Sequence, residues 1–207
     1  MAPGCIVLAV PRGEYAIIDH SGRQVGSETF TSAPGPMGWR YYATVQRFGP
    51  EPRTERLDVS VDAHGRPVRI RIETRDHSAL LVVRGGTLEG MRDAEPVSVP
   101  WSAGVGVEYA SPGFFAVALH RLGSTTERDV IVLDQDTLEP RRSKRRFELV
   151  REGPVTSKAG IFDARTWLLG GRTVSISGNV LVADDGPFQL IAYEPGESGP
   201  WPRLRPV

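Results

Sequence analysis

Leu57-Asp58-Val59-Ser60-Val61-Asp62-Ala63-His64-Gly65-Arg66-Pro67-Val68-Arg69-Ile70-Arg71-Ile72-Glu73 is the stretch that decides the fold. Leu57, Val59 and Val61 alternate with Asp58 and Ser60. Val68, Ile70 and Ile72 alternate with Arg69, Arg71 and Glu73. Successive side chains of a strand point to opposite faces, so this period of two puts the aliphatic residues on one face and the charges on the other. Asp62 stands at the first position of a turn, where its carboxylate accepts from backbone two residues on, and Gly65 tolerates positive φ. Two strands around a tight turn make an antiparallel hairpin, dry on one side and wet on the other.

The same text recurs along the chain. It reads Ile17-Ile18-Asp19-His20-Ser21-Gly22, then a looser Val132-Leu133-Asp134-Gln135-Asp136-Thr137-Leu138, then Val182-Ala183-Asp184-Asp185-Gly186-Pro187-Phe188. Further strands are expected over Tyr15–Ile18, Gln24–Phe30, Trp39–Phe48, Val130–Leu133, Arg141–Val150, Ile161–Leu169, Val174–Val182 and Phe188–Tyr193. Ala79–Val83 and Thr87–Arg92 flank a turn at Gly85-Gly86, and Gly170-Gly171 makes another. Thr31–Gly38, rich in Pro and Gly, reads as a loop. Glu95–Trp101 is less regular. Val105, Val107 and Tyr109 share one face of a short strand.

One helix is signalled. Ser111 caps it, Pro112 fits its first position and Gly123 fits its stop, with Phe115, Ala118, Leu119 and Leu122 on one face. Ten or more strands with short links and a single short helix predict an all-β protein: an antiparallel β-barrel, closed or partly open. Residues 1–193 are expected to form one domain. Residues 194–207, with four Pro and two Gly, read as a strap or tail.

Composition bounds the function. The 207 residues carry 25 basic and 25 acidic side chains, so no global field draws the chain to nucleic acid or to an anionic membrane. Only Lys144 and Lys158 are lysines, and with the abundant Gly, Pro and Ala this points to a GC-rich bacterial genome. Cys5 is the sole cysteine and forms no disulfide within the chain. Cys5–Val10 is too short for a signal-peptide core, and no stretch is long enough to span a membrane, so a cytoplasmic protein is the expectation. There is no G-x-S-x-G elbow, P-loop or G-x-G-x-x-G after a strand, and the four histidines are scattered singly. No metal and no cofactor are expected.

Several residues remain as candidates. Trp39, Tyr41 and Tyr42 lie close on one strand. An inward Tyr41 places a phenol in an apolar interior, where it donates to a carbonyl or enolate oxygen; the plainer alternative is core packing. In Arg141-Arg142-Ser143-Lys144-Arg145-Arg146, Arg145 shares parity with Phe147 and Leu149. If those point inward, Arg145 needs an anionic partner: Asp163, Glu108 or an acidic ligand. Glu108, just before the helix, is a candidate internal acid or base, with exposure as the alternative. Asp163, Arg165 and Trp167 share one face of their strand, which lies outside unless a wide barrel turns it inward. His120, at the helix end, either stabilises the helix dipole or acts at a barrel mouth. The candidate catalytic set is therefore Tyr41, Arg145 and Glu108. The candidate ligand-binding set is Trp39, Tyr109, Phe115, His120, Phe147 and Trp167.

The hairpins with D-x-x-G turns, the capped helix at Ser111–Gly123 and the return through Asp134–Pro140 resemble calycin (lipocalin-like) or LolA/LolB-like bacterial β-barrels. That resemblance is topological and implies a sheet wrapped around one apolar ligand. The chain is also similar to the small barrel cyclases of spirotetronate and tetronate-polyether polyketide pathways. This second likeness implies a cofactor-independent cyclase or isomerase that folds a polyketide-like substrate into a reactive shape. The expected partner is thus a hydrophobic small molecule, with no nucleic acid and with a homodimer as one oligomeric option. The alternatives are a non-catalytic carrier of a lipid or other hydrophobic ligand, and a structural, partner-binding β protein with a filled core.

Overall fold

The computed structural model describes residues 10–35 and 38–196; Cys5 and the tail beyond residue 196 lie outside the described residues. Nine strands form one antiparallel sheet. They are β1 (Arg12–Ile18), β2 (Gln24–Gly35), β3 (Gly38–Arg47), β4 (Arg53–Asp62), β5 (Pro67–Glu73), β6 (Ser78–Arg84), β7 (Thr87–Arg92) and β8 (Glu95–Pro100) in chain order, with β15 (Phe188–Glu194) beyond β1. Six strands form the second sheet, in the order β14 (Val180–Asp184), β13 (Arg172–Ser177), β12 (Gly160–Leu169), β11 (Pro140–Ser157), β10 (Thr126–Leu133) and β9 (Gly106–Glu108). The helix α1 (Pro112–Leu119) carries the chain from β9 to β10, which pair in parallel. A parallel pair needs such a crossover. The protein is an all-β, almost wholly antiparallel, partly open barrel with one short helix.

The aspartate turns share one device. Asp62 Oδ1 accepts from the N–H groups of His64 (2.8 Å) and Arg66 (2.9 Å), and Gly65 N–H donates to the Asp62 carbonyl at 2.8 Å. Asp19 repeats this with Ser21 (2.9 Å), Arg23 (3.0 Å) and Gly22 (3.0 Å). Asp134 accepts from Asp136 and Thr137, and Asp184 from Gly186 and Phe188. The first three close hairpins. The Asp184 turn instead hands the chain from β14 in one sheet to β15 in the other. One local signal therefore serves both to pair neighbouring strands and to bridge the seam.

Four expectations change. Thr31–Gly35 is strand rather than loop: β2 runs on to Gly35, which pairs with Gly38 of β3, and Pro34 stands opposite Trp39; residues 36 and 37 lie outside the described residues. Among the described residues, β1 pairs with β2 as far as Thr31 and Ser32 N–H donates to Pro11 O at 2.8 Å, so Pro34 breaks no described bond to β1. Val68 is exposed while Pro67 is buried, because a bulge between Ser60 and Val61 shifts the β4–β5 register by one residue. Val174–Val182 is two strands, broken at Gly178 with φ 55°. Arg141–Val150 extends to an 18-residue strand whose register shifts between Leu149 and Arg151, leaving Val150 exposed.

The helix differs most. Ser111 is its cap, accepting from Gly113 N–H at 3.3 Å, and Pro112 opens the first turn. It ends at Leu119 rather than at Gly123, and Phe114, Ala116, Val117, Ala118 and Leu119 are all buried. A helix apolar all round is an interior helix. Phe115 stacks under the Arg172 guanidinium and lies 6.3 Å from Phe188 of β15. Gly113 lies so close to Tyr41 of β3 that an added Cβ would sit 2.2 Å from the ring. The helix plugs the space between the sheets. Arg128 of β10 caps its end by donating to Ala118 O, and Arg165 of β12 donates to Leu122 O, three residues past the helix, at 3.0 Å. Cations at a helix C-terminus complement its dipole.

Candidate functional site

Two polar places stand out, one sealed and one open. The sealed one lies under the start of α1. Glu28 of β2 is 0% exposed; its Oε1 accepts from the Tyr41 hydroxyl at 2.6 Å and from the Ser111 hydroxyl at 2.8 Å, and its Oε2 has no partner. Burial pushes the Glu28 carboxyl up to about 7; the two hydroxyl bonds and Arg47 oppose the shift, and Glu55 adds to it. Burial and the Glu28 charge raise the Tyr41 phenol well above its ordinary value. Beside this pair, Glu55 of β4 accepts from Arg47 Nε at 3.1 Å and from the Tyr109 hydroxyl at 2.9 Å. A carboxyl poised near neutrality beside a phenol is an acid–base couple in chemical terms. Glu28, Tyr41 and Glu55 are each at most 1% exposed, so the network is closed to a substrate in this arrangement.

The open place is a cleft of about 480 Å³ at the end of α1. Leu119, Ala164, Trp167 and Ile176 give it an apolar floor, and His120, Glu152, Asp163 and Arg165 give it polar walls. β12 explains this division. Phe162, Ala164 and Thr166 point into the core, while Asp163 and Arg165 point out; Trp167 shares their parity yet is fully covered. Arg165 is held at both ends, by Leu122 O and by Glu152 at 3.0 Å. His120 packs edge-on against Trp39 with centroids 6.2 Å apart, and its Nδ1 lies 3.3 Å from Gly178 O.

The sequence-derived candidates distribute as follows. His120 and Trp167 meet in the cleft, with Trp39 against His120. Tyr41 and Tyr109 enter the sealed network. Glu108 and Arg145 meet each other at 3.1 Å, with Ser143 as a second partner of Arg145; both side chains are part-exposed, and they belong to a different network from Tyr41. Phe147 lies under the Arg128 guanidinium, and Phe115 under that of Arg172. Burial pulls Arg128 down to about 10, and neighbouring Arg121 adds to this. Glu28, Glu55 and Arg47 join the sealed network without having been selected from the sequence, and Ser111 was read there only as a helix cap. Parity held a signal for two of them. Glu55 continues the row Leu57, Val59, Val61 backwards, and Arg47 continues Tyr41, Ala43, Val45 forwards, which places both on the inward face.

Comparison with known proteins locates the fold and nothing finer. No protein-family model matches the chain, and no curated protein matches it. Among solved structures it is similar to a DUF1089 family protein from Pseudomonas aeruginosa, with a TM-score of 0.54 and 12% identity over 78% of this chain and 91% of that one. It is also similar to a β-barrel-like protein of the domain of unknown function DUF1849 from Brucella abortus, with a TM-score of 0.51 and 8% identity over 92% and 99% of the two chains. These likenesses support a bacterial β-barrel-like fold. They carry no calycin, LolA/LolB or polyketide-cyclase assignment. Among the described residues, no helix is long and apolar enough to cross a membrane.

Proposed function

We propose that this barrel binds an amphipathic small molecule in the cleft at the end of α1 and does not transform it. The apolar part of the ligand lies over Ala164 and Ile176, backed by the covered Trp167 and Leu119, and its oxygen-bearing end meets Arg165 and His120. The observation that carries this reading is the convergence of an apolar floor and a few fixed polar groups in a volume typical of ligand sites, about 300–1,000 Å³. The acid nearest to neutrality, Glu28, is sealed away from that cleft, which favours a carrier over a catalyst.

The test incubates the purified protein with a metabolite extract of a GC-rich bacterium and recovers what it retains. Mass spectrometry should find a hydrophobic compound held at one equivalent and released unchanged, and Arg165→Ala should weaken retention about tenfold. Conversion of many equivalents would overturn the carrier reading; no retention would leave a structural protein with a filled core.

The Glu28–Tyr41 couple favours a second reading, a cofactor-independent cyclase or isomerase whose substrate enters by displacing α1. It expects turnover with a pH dependence centred near 7 that is lost in Glu28→Gln and in Tyr41→Phe.

A further inference from the structure

The outer face of the nine-stranded sheet carries a feature that the ligand cleft does not explain. Registers across β3 to β8 align Tyr42, Asp58, Arg71, Leu80, Met91 and Pro96 in one cross-strand row. At about 4.8 Å between strands, the row runs roughly 24 Å across the sheet. Three of its members are large apolar or aromatic side chains left in solvent: Tyr42 at 42%, Leu80 at 43% and Met91 at 45% exposure. Leu80 and Met91 are direct cross-strand partners, so they form one apolar step rather than scattered exposure.

The other end of the row is basic. Among the described residues, Arg40, Arg56, Arg69 and Arg71 share Asp58 and Glu73 as carboxylate partners, four guanidinium groups on two carboxylates. Arg40, Arg56 and Arg71 surround Tyr42 in a shallow groove of about 330 Å³, and the Arg56 contact with Glu73 is a loose 4.0 Å. The chain's charges cancel overall, so this local excess is a polarised face on a neutral molecule. A second copy related by an axis along the row would set arginines against arginines. At the free edge, β8 carries Pro96 and Pro100, which lack the N–H needed to pair with an added strand.

We propose that this row docks the protein on an anionic lipid surface, with Leu80 and Met91 entering the headgroup boundary, Tyr42 at the interface and Arg56 and its neighbours over the lipid charges. A flat basic patch with an aromatic and an apolar step is the chemistry of peripheral attachment, and nothing in it spans the bilayer. The inference is independent of the cleft and its ligand.

The experiment sediments the protein with phosphatidylserine-containing vesicles and with purely zwitterionic phosphatidylcholine vesicles, in low and high salt. The wild type should partition to the anionic vesicles and be released by salt. Arg56→Gln should weaken partitioning about fivefold. The double variant Leu80→Ser, Met91→Ser should weaken it about tenfold or more. Val150→Ser, which alters an exposed valine on β11, should behave as wild type. Thermal melts confirm that each variant folds. Equal binding to both vesicle types, absence of binding, or wild-type partitioning by the double variant would each overturn the proposal. So would a dimer in solution that the double variant splits, since that gives the face to a second copy.

Discussion

The turn aspartates and the interior glutamate are the same carboxyl group in opposite settings. At Asp62 burial works against the charge, yet the Arg66 N–H and guanidinium and the His64 N–H outweigh it and hold the carboxyl below its usual value. At Asp19 the Ser21 hydroxyl leads, and backbone N–H groups help to bring the carboxyl down to about 2. Glu28 receives two hydroxyl donors and no backbone N–H, and one of its oxygens has no partner. There burial wins. The comparison teaches that donor supply against burial, rather than residue type, sets the charge of a carboxylate in this barrel.

The strongest way to break the interior setting is to push α1 off it. Gly113→Ala sets a Cβ against the Tyr41 ring and should cost about 3 kcal/mol in denaturant melts, with loss of the Glu28–Ser111 contact. Glu28→Gln sharpens the comparison. The Glu28 carboxyl is raised from 4.5 to about 7, so its contribution to stability is full below about pH 4.5 and is lost as pH rises through 7. Between about pH 4 and pH 8 the wild type should lose about 3 kcal/mol that the Gln variant keeps. A wild type and variant with parallel pH profiles would refute a proton on Glu28.

The turns should respond with the opposite sign. The lowered Asp62 carboxyl contributes above its unfolded value and loses that contribution as pH falls through the folded one. Asp62→Ala should cost about 1 kcal/mol near neutrality, read as a fall in Tm of about 3 °C. Asp19→Ala removes the same backbone bonds but a looser guanidinium contact, 3.3 Å to Arg23 against 2.7 Å from Arg66 to Asp62, so it should give a smaller fall, and only its acid limb should move.

This contrast also marks what was legible in the sequence. An Asp followed three residues later by Gly is a local signal, and Asp19 and Asp62 form the turns it implies. Alternation placed Leu57, Val59, Ile70 and Ile72 in the core, and failed at Val68 because a bulge is a one-residue event that periodicity does not announce. Glu28 was hidden for another reason. Its inward row on β2 is Gly26, Glu28, Phe30 and Ser32, in which Phe30 is the sole large apolar side chain, so the row carries no hydrophobic rhythm. Its partner Ser111 is 83 residues away, and only the folded plug brings the two together. The cleft was half legible. His120 and Trp167 were candidates on chemistry, but Glu152 comes from β11, and its place beside Arg165 depends on the bulge after Leu149.

The pairing of β1 with β15 has a consequence for the order of assembly. Arg12 stands opposite Glu194, so the first and last described strands are neighbours, and the nine-stranded sheet gains its outer member only when the far end of the chain arrives. Until then β1 presents one open edge, and closing that loop spans nearly the whole described chain. Contacts so distant in sequence make for slow folding and leave a nascent edge open to the wrong partner. Synthesis of this protein should therefore pass through a long-lived state in which β1 to β8 are paired by their local turns while the outer edge of β1 waits, and that interval is when a chaperone would matter most.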